Sequence, residues 1–393
     1  MESLPRKRKR LVIVTNNLYA FGGGEKFALD VATRLKNKLD VTVVNTVSKK
    51  DKTTVSKAML AKMFDLSGVE VVEFPSAGIA SRAFGTEPYT FRIPGPVSAA
   101  RLLNLFGNAD SIYQVSLNPF LLSYSVLLSK LMKKRFVLGV HNFSLAAAFG
   151  DSHKPAGGAS ARALAALLRQ VKFFHVLNDR DLDLIRRRFP KATVKKIPNF
   201  VPMRARAVTN NSRKFICLYV GRLEKNQKGI DLLHGAMERT IANDKEVVFH
   251  VVGSGGDSEA LIADAEKKHP KNVVWSRFLQ GKKLEDAYRS ASVLVFPSRY
   301  DTLSLVLLEA QSFGLPAIAF DIPGPRDIIQ ESFQGVRIKG LSPEALSTQI
   351  MRYHKMWRNG AKYALTKKKI SGLVRKKYSA QKLLPELEQF LLG

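Results

Sequence analysis

Short apolar, β-branched runs alternate along the chain with stretches in which apolar positions recur every three to four residues. Residues 11–14, 41–44 and 69–72 read as strands. Residues 25–35, between the first two, gather Phe27, Val31 and Leu35 on one helical face, with Ala28 and Ala32 beside them. Further strands are expected at 111–115, 135–140, 173–177 and 193–197. After Pro198 the pattern lapses into a polar stretch with Arg204, Arg206, Thr209, Asn210, Asn211, Ser212 and Arg213, which reads as a linker. Alternation then resumes with strands at 215–220, 247–252, 293–296 and 317–320. Helices are expected at 229–240, 257–268 and 305–313, with more from 342 to 392. This order of elements predicts βαβ units around parallel sheets.

A chain of 393 residues exceeds what one hydrophobic core usually serves. The pattern therefore resolves into two similar-sized, Rossmann-like α/β domains joined near residue 205. A composition of 45% hydrophobic and 24% charged residues excludes a disordered chain, a collagen and a small stapled scaffold. The single cysteine, Cys217, excludes an intramolecular disulfide framework and a cysteine-cluster metal site, and is consistent with a reducing compartment. Charge changes the picture most. Lysine and arginine total 63 against 33 acids, for a net charge of +30. Residues 1–200 carry 32 basic and 14 acidic side chains, and residues 351–393 carry 11 and 2. Such a surface attracts polyanions: nucleic acid, anionic lipid headgroups or acidic glycans. The most apolar stretch, residues 120–132, is too short to span a membrane and is interrupted by Ser123, Ser125, Ser129 and Lys130. The basic run at 5–10 precedes an apolar run shorter than a signal peptide requires. It reads as a solvated leader, a nuclear signal or a lipid contact.

Three segments stand where a strand hands over to a helix, the place where open α/β sheets bind ligands. The first is Gly22-Gly23-Gly24-Glu25. Its glycines let backbone amides approach a bound group at a positive helix end. It lacks the spacing of a dinucleotide fingerprint, and a tight structural turn would use the same residues. The second is Gly221-Arg222-Leu223 with Lys228-Gly229. A guanidinium fork and an ammonium suit a diphosphate, although in so basic a chain they read first as a solvated loop. The third is Pro297-Ser298-Arg299-Tyr300-Asp301, followed by Thr302, Leu303 and Ser304. Ser304 is placed to cap the helix, and Asp301 stands at its positive end. Glu309 is an acid inside an otherwise apolar run from Leu305 to Ala310, and either pairs with a ligand diol or faces solvent. His141, at a strand end, reads first as structural when taken alone; His175 reads as core, and Asn199 as a turn residue near the cleft.

The second half resembles the retaining glycosyltransferases of family 4, which have the GT-B architecture. The resemblance lies in Tyr219-Val220-Gly221-Arg222-Leu223, Lys228-Gly229-Ile230-Asp231-Leu232-Leu233 and Val251-Val252-Gly253-Ser254-Gly255. It continues in Phe296-Pro297-Ser298-Arg299-Tyr300, in Leu305-Val306-Leu307-Leu308-Glu309-Ala310 and in Gly314-Leu315-Pro316. Order and spacing agree across roughly 120 residues. The first half is similar more loosely, at Gly22–Glu25, at Val140-His141-Asn142 and at Ile197-Pro198-Asn199.

What the resemblance implies is specific. Two Rossmann-like domains face across a cleft: residues 1–203 bind the acceptor and 204–365 the nucleotide sugar, and a C-terminal helix at 366–393 crosses back to the first domain. Arg222 and Lys228 hold the donor diphosphate and stabilise the leaving group, with no metal and no cofactor. Glu309 accepts hydrogen bonds from the ribose. Asp301 stands where the family usually has a glutamate contacting the transferred sugar, one methylene longer. Gly221, Gly253 and the amides of Leu303, Ser304 and Leu305 line the donor. Gly23 and Gly24 lie against the diphosphate, and His141 sits beside the anomeric centre. The expectation is a cytoplasmic enzyme of glycan biosynthesis, peripheral on the inner face of a membrane. It moves a hexosyl group from a nucleotide-diphosphate sugar to an anionic or lipid-linked glycan acceptor with retention. The alternative is a basic nucleic-acid-binding protein, or a nucleic-acid-directed transferase of the same fold; no helix-turn-helix, finger or RNA-recognition signature supports it. A sugar-nucleotide epimerase of this architecture is disfavoured by the spacing around Glu309.

Overall fold

The structure, a computed structural model, describes residues 8–20, 22–47, 55–81, 89–115, 117–141, 159–201 and 214–393. Residues 5–7 of the basic leader, Asn142 and the linker with its expected boundary at 203/204 lie outside them. Chain contacts divide the protein into two units, Met1–Pro198 with Leu384–Gly393, and Asn199–Leu383.

The first unit is built on strands β1 (Arg10–Thr15), β2 (Asp40–Val47), β3 (Val69–Ser81), β4 (Tyr89–Pro94), β5 (Ser111–Gln114), β6 (Arg135–Val140), β7 (Phe173–Val176) and β8 (Thr193–Lys196). Their order in the sheet is β4-β3-β2-β1-β5-β6-β7-β8. Neighbours are parallel except β3 and β4. Successive residues of β1, from Leu11 to Val14, are all buried. Their side chains point alternately to the two faces, so both faces are covered, as a parallel sheet requires.

The second unit carries β9 (Phe215–Val220), β10 (Val247–Val252), β11 (Val273–Ser276), β12 (Val293–Phe296), β13 (Ala317–Phe320) and β14 (Gly335–Ile338). They form one parallel sheet in the order β11-β10-β9-β12-β13-β14. In both sheets the chain first steps outward from its first strand and then crosses to that strand's other side. The switch points are β1/β5 and β9/β12. A crevice opens at the carboxyl ends of the strands at such a point. Every segment singled out for chemistry in the second half follows β9, β10 or β12.

Strands β4, β11 and β14 are not anticipated by the pattern. All three are edge strands. β11 and β14 are four residues long and only partly buried, so they lack the continuous apolar run that marks a central strand.

The expected returning segment 366–393 divides. The helix Gly360–Tyr378 belongs to the second unit, where Ile370 and Val374 are buried and Tyr378 donates to the Asp327 carbonyl at 3.0 Å. The last ten residues belong to the first unit. Leu387 and Leu391 of the helix Ala380–Leu392 are fully buried. Ser111 Oγ donates to the Leu391 carbonyl at 2.6 Å, and Arg135 Nη2 to that of Phe390 at 2.8 Å. Among the described residues no helix is long and apolar enough to cross a membrane.

Lys367 departs from the pattern of solvated charge. It is 3% exposed on the helix Gly360–Tyr378, with Nζ 3.5 Å from the Ala291 carbonyl. Burial lowers its pKa to about 8. Between that value and the ordinary one the unfolded chain binds more protons than the folded one, so stability rises with pH across this window. Below about pH 8 the fold carries a buried ammonium. Lys367→Met is therefore expected to stabilise the protein by roughly 2–3 kcal/mol at pH 7. The advantage should shrink towards pH 10.5 in urea unfolding at both pH values.

Candidate functional site

In the second unit the site is set by backbone contacts at the ends of β9 and β10. Gly221 leaves β9 at φ +155° and donates from N–H to the Val252 carbonyl at 3.0 Å. Gly253 leaves β10 at φ +146°, and a Cβ there would lie 1.8 Å from the Gly221 oxygen. Tyr219 Oη, buried under this turn, donates to the Arg222 carbonyl at 2.6 Å. Arg222 thus leaves the strand end in a fixed direction. Its side chain is 55% exposed, with Nη2 at 3.2 Å from Glu224 Oε2 and donating to Gln227 Oε1 at 3.0 Å.

Lys228 lies six residues further on, just before Gly229 at the start of the helix Ile230–Asn243. Gly229 has φ +65°, and a Cβ would stand 2.1 Å from the Pro297 oxygen. This close approach brings the loop after β9 against the loop after β12. Two ion pairs tie the loops together. Lys228 Nζ meets Asp301 Oδ2 at 3.1 Å, with both side chains largely buried. Arg299 meets Asp231 through two parallel contacts of 2.7 Å, and its Nη1 also donates to the Lys225 carbonyl at 2.5 Å. Burial pushes the Asp231 carboxyl up, but the hydrogen bonds and charge of Arg299 more than reverse this and hold it below the usual range.

Ser304 caps the helix Leu305–Ser312, its Oγ accepting from Leu307 N–H at 3.2 Å. First-turn amides of a helix have no partner within the helix, so those of Leu305 and Val306 are donors at a positive end. Asn199 Nδ2 donates to the Leu303 carbonyl at 2.9 Å and pins the segment before the cap. Glu309, one face of the helix further along, is half-buried and accepts from Tyr288 Oη at 3.1 Å. Arg222, Lys228, Asp301, Gly221, Gly253, Leu303, Ser304, Leu305 and Glu309 thus all belong to elements that start or end at the carboxyl edge of this sheet.

Gly23, Gly24 and His141 belong to the first unit. Gly23 is exposed at the start of the helix Gly23–Leu35, whose N-cap is Gly22. A Cβ on Gly24 would sit 3.7 Å from His141 Cβ and 3.8 Å from Val115 Cγ1. The glycine helix start, the end of β5 and the end of β6 therefore meet. His141 Nε2 lies 2.9 Å from Tyr113 Oη, which lies 2.6 Å from His175 Nδ1, and His175 Nε2 lies 2.7 Å from the Ile197 carbonyl. Burial pushes His141 well below the usual histidine range, helped by His175, and pushes His175 down to about 4.

The sequence singles out neither Tyr113 nor Tyr288; Tyr219 and Asp231 enter only as part of the matched motifs, without a role, and His175 only as core. Their partners are 3 to 68 positions away, and nothing in periodicity marks them. The close spacing of Tyr219 and Arg222 across a strand end is the one local signal.

Comparisons with known proteins follow the same division of the chain. Residues 204–390 match the family described as glycosyl transferases group 1. Over 141 residues the chain is 30% identical to glycogen synthase of Thermus thermophilus, covering 36% of this chain and 32% of that protein. Over 134 residues it is 36% identical to sulfoquinovosyl transferase SQD2 of Arabidopsis thaliana, covering 34% of this chain and 24% of that one. The matches thus span about a third or less of these relatives' lengths. Solved structures match across nearly the whole chain. The pneumococcal O-GlcNAc transferase GtfA with UDP and GlcNAc superposes with a TM-score of 0.73 at 13% identity, covering 98% of this chain and 99% of that one. Anabaena Alr3699/HepE with UDP and glucose gives 0.72 at 13% identity, covering 98% and 99%. The fold is GT-B.

The Gly221–Gly253 contact yields a direct test. Gly253→Ala is expected to cost about 3 kcal/mol, because both φ and the overlap with the Gly221 oxygen oppose it. Gly255→Ala, at φ +76° with nothing within 4 Å, should cost only about 1 kcal/mol in the same unfolding assay.

Proposed function

From the match of residues 204–390 to glycosyl transferases group 1, we propose that the protein is a retaining, metal-independent hexosyltransferase of family 4. Its donor is a nucleotide-diphosphate sugar, and its acceptor is a hydroxyl of an anionic or lipid-linked glycan in glycan biosynthesis. The observation that carries this reading is the Arg222–Lys228 loop. Two cations leave the carboxyl edge of the sheet over glycine backbone, beside a capped helix N-terminus. Such a surface stabilises negative charge that grows on a departing diphosphate. Cationic side chains supply here what a metal supplies elsewhere. Gly221, Gly253, Leu303, Ser304 and Leu305 line the donor, Glu309 receives the ribose hydroxyls, Asp301 meets the transferred sugar, and Gly23, Gly24 and His141 serve it from the first unit.

In the reaction, the bond from the anomeric carbon to the diphosphate oxygen breaks with its electron pair going to phosphate. The acceptor oxygen bonds the same face of the carbon. The acceptor's proton passes to the departing phosphate oxygen, so no dedicated basic side chain is required. UDP in the complexes of two structural neighbours supports a UDP sugar as the first donor to try.

The acceptor side draws on the first unit. Leu127, Lys130 and Leu131 are exposed at i, i+3 and i+4 on the helix Pro119–Leu131, with Leu127 56% and Leu131 70% exposed. Lys133 follows on the exposed turn. An apolar stripe flanked by lysines suits an anionic lipid interface, and supports a peripheral membrane position on the cytoplasmic face. The comparisons, all with glycosyltransferases among the relatives given above, do not favour the nucleic-acid alternative.

Arg222→Ala with Lys228→Ala is expected to cut slow hydrolysis of the matching donor, found in a panel of nucleotide sugars, by at least about 100-fold. Unchanged turnover would overturn the assignment. Leu127→Glu with Leu131→Glu is expected to release the protein from anionic liposomes in sedimentation while leaving donor hydrolysis in solution unchanged.

A further inference from the structure

We propose that Tyr113 and His175 are positioning residues that fix His141 in the tautomer with its proton on Nε2, leaving Nδ1 as the acceptor for a hydroxyl of the donor sugar. The inference rests on the proposed donor role of His141 and adds the direction of its hydrogen bond and the two residues that impose it.

The direction follows from one end of the chain of contacts. The Ile197 carbonyl can only accept, so His175 Nε2, at 2.7 Å, carries a proton. His175 is neutral at neutral pH, since burial holds it near 4. Its Nδ1 is therefore a lone pair, and the Tyr113 hydroxyl at 2.6 Å must donate to it. Burial drives the Tyr113 phenol well above its usual range, so that single proton stays on the oxygen. With the proton committed to His175, the Tyr113 oxygen can only accept from His141, so the 2.9 Å contact is Nε2–H to Oη. His141 is also neutral, and its Nδ1 is left unprotonated. That atom is buried and has no hydrogen-bond partner among the described residues. A buried lone pair without a donor is costly, and a ligand O–H relieves it. A phosphate oxygen, itself an acceptor, does not. The site thus selects the sugar end of the donor rather than its diphosphate.

The sheet is built to leave room for this relay. Gly139 on β6 pairs in register with His175 on β7. A Cβ at Gly139 would lie 2.8 Å from Tyr113 Oη and 3.0 Å from His141 Nε2, inside their hydrogen bond. Gly139 has no positive φ, so its backbone would accept any residue. The glycine is needed for the space alone. Phe27 closes the other side, its ring centroid 4.7 Å from that of His141 and 5.9 Å from that of His175.

The direct test is the tautomer of His141 in the 15N-labelled protein, by long-range proton–nitrogen correlation. The expected result is a protonated Nε2 and an unprotonated Nδ1 in the ligand-free wild type, with mixed tautomers in Tyr113→Phe. Hydrolysis of UDP-glucose, UDP-galactose or UDP-N-acetylglucosamine, whichever is turned over, should lose roughly fivefold to tenfold in kcat/KM in Tyr113→Phe and in Gly139→Ala. UDP affinity should not change. A proton on Nδ1 in the wild type overturns the proposal without any variant having to fold. A Tyr113→Phe protein with unchanged tautomer and unchanged kcat/KM overturns it as well. The site reading fails separately: if Arg222→Ala with Lys228→Ala leaves turnover intact, His141 is no donor ligand even with the expected tautomer.

Discussion

The second unit depends on two strand ends meeting backbone to backbone. The Gly221 oxygen occupies the place where a side chain on Gly253 would begin. Gly256 repeats the arrangement against the Leu223 oxygen, and Gly229 against the Pro297 oxygen, each with 2.1 Å to a would-be Cβ. All four glycines have φ between +65° and +155°. Removing side chains from this edge lets loops approach to backbone distance, which carries amide donors and the bases of Arg222 and Lys228 to one surface. Larger residues would hold the loops apart.

How much of this was legible depends on how far apart the interacting residues stand. The central strands announce themselves because burial on both faces forces unbroken apolar runs such as Phe215–Val220. Ser304 is legible as a cap because the cap and the amide it serves are three residues apart. The glycine positions are legible as punctuation, though not the oxygens they make room for. Edge strands β11 and β14 escape because one side of each has no partner to demand apolar residues. Asp231–Arg299 spans 68 positions and Tyr113–His175 spans 62, and no local rule relates such residues. His175 illustrates the limit best: a histidine in an apolar strand is rightly read as core, yet its two nitrogens set the polarity of the neighbouring strand end.

Charge is equally instructive. A surplus of +30 suggests a cationic site, yet the cations at the strand ends are individually matched. Lys228 has Asp301, Arg299 has Asp231 and Arg222 has Glu224. The surplus lies elsewhere, on surfaces such as the exposed turn of Lys130 and Lys133. Even a lysine triplet is not uniform: Lys367 is buried while Lys368 and Lys369 are exposed. A net charge fixes the class of partner a surface attracts and says little about where the chemistry sits.

The matched pairs give the proposed chemistry a physical order of events. Lys228 is largely buried, and leaving it unpaired there would be expensive; Asp301 supplies its partner. In the proposed reaction a diphosphate, with more negative charge than one carboxylate, would take the ammonium from it. Asp301 would then be freed beside the proposed donor, with its oxygens as acceptors for sugar hydroxyls. The energy of breaking the pair would be returned twice, once by phosphate on Lys228 and once by hydroxyls on Asp301. In this scheme a diphosphate without its sugar would leave Asp301 without a partner, whereas a sugar alone would leave the pair intact. The aspartate at 301 keeps its contact with Lys228 at 3.1 Å, which in this scheme ties the group proposed for the diphosphate to the group proposed for the sugar.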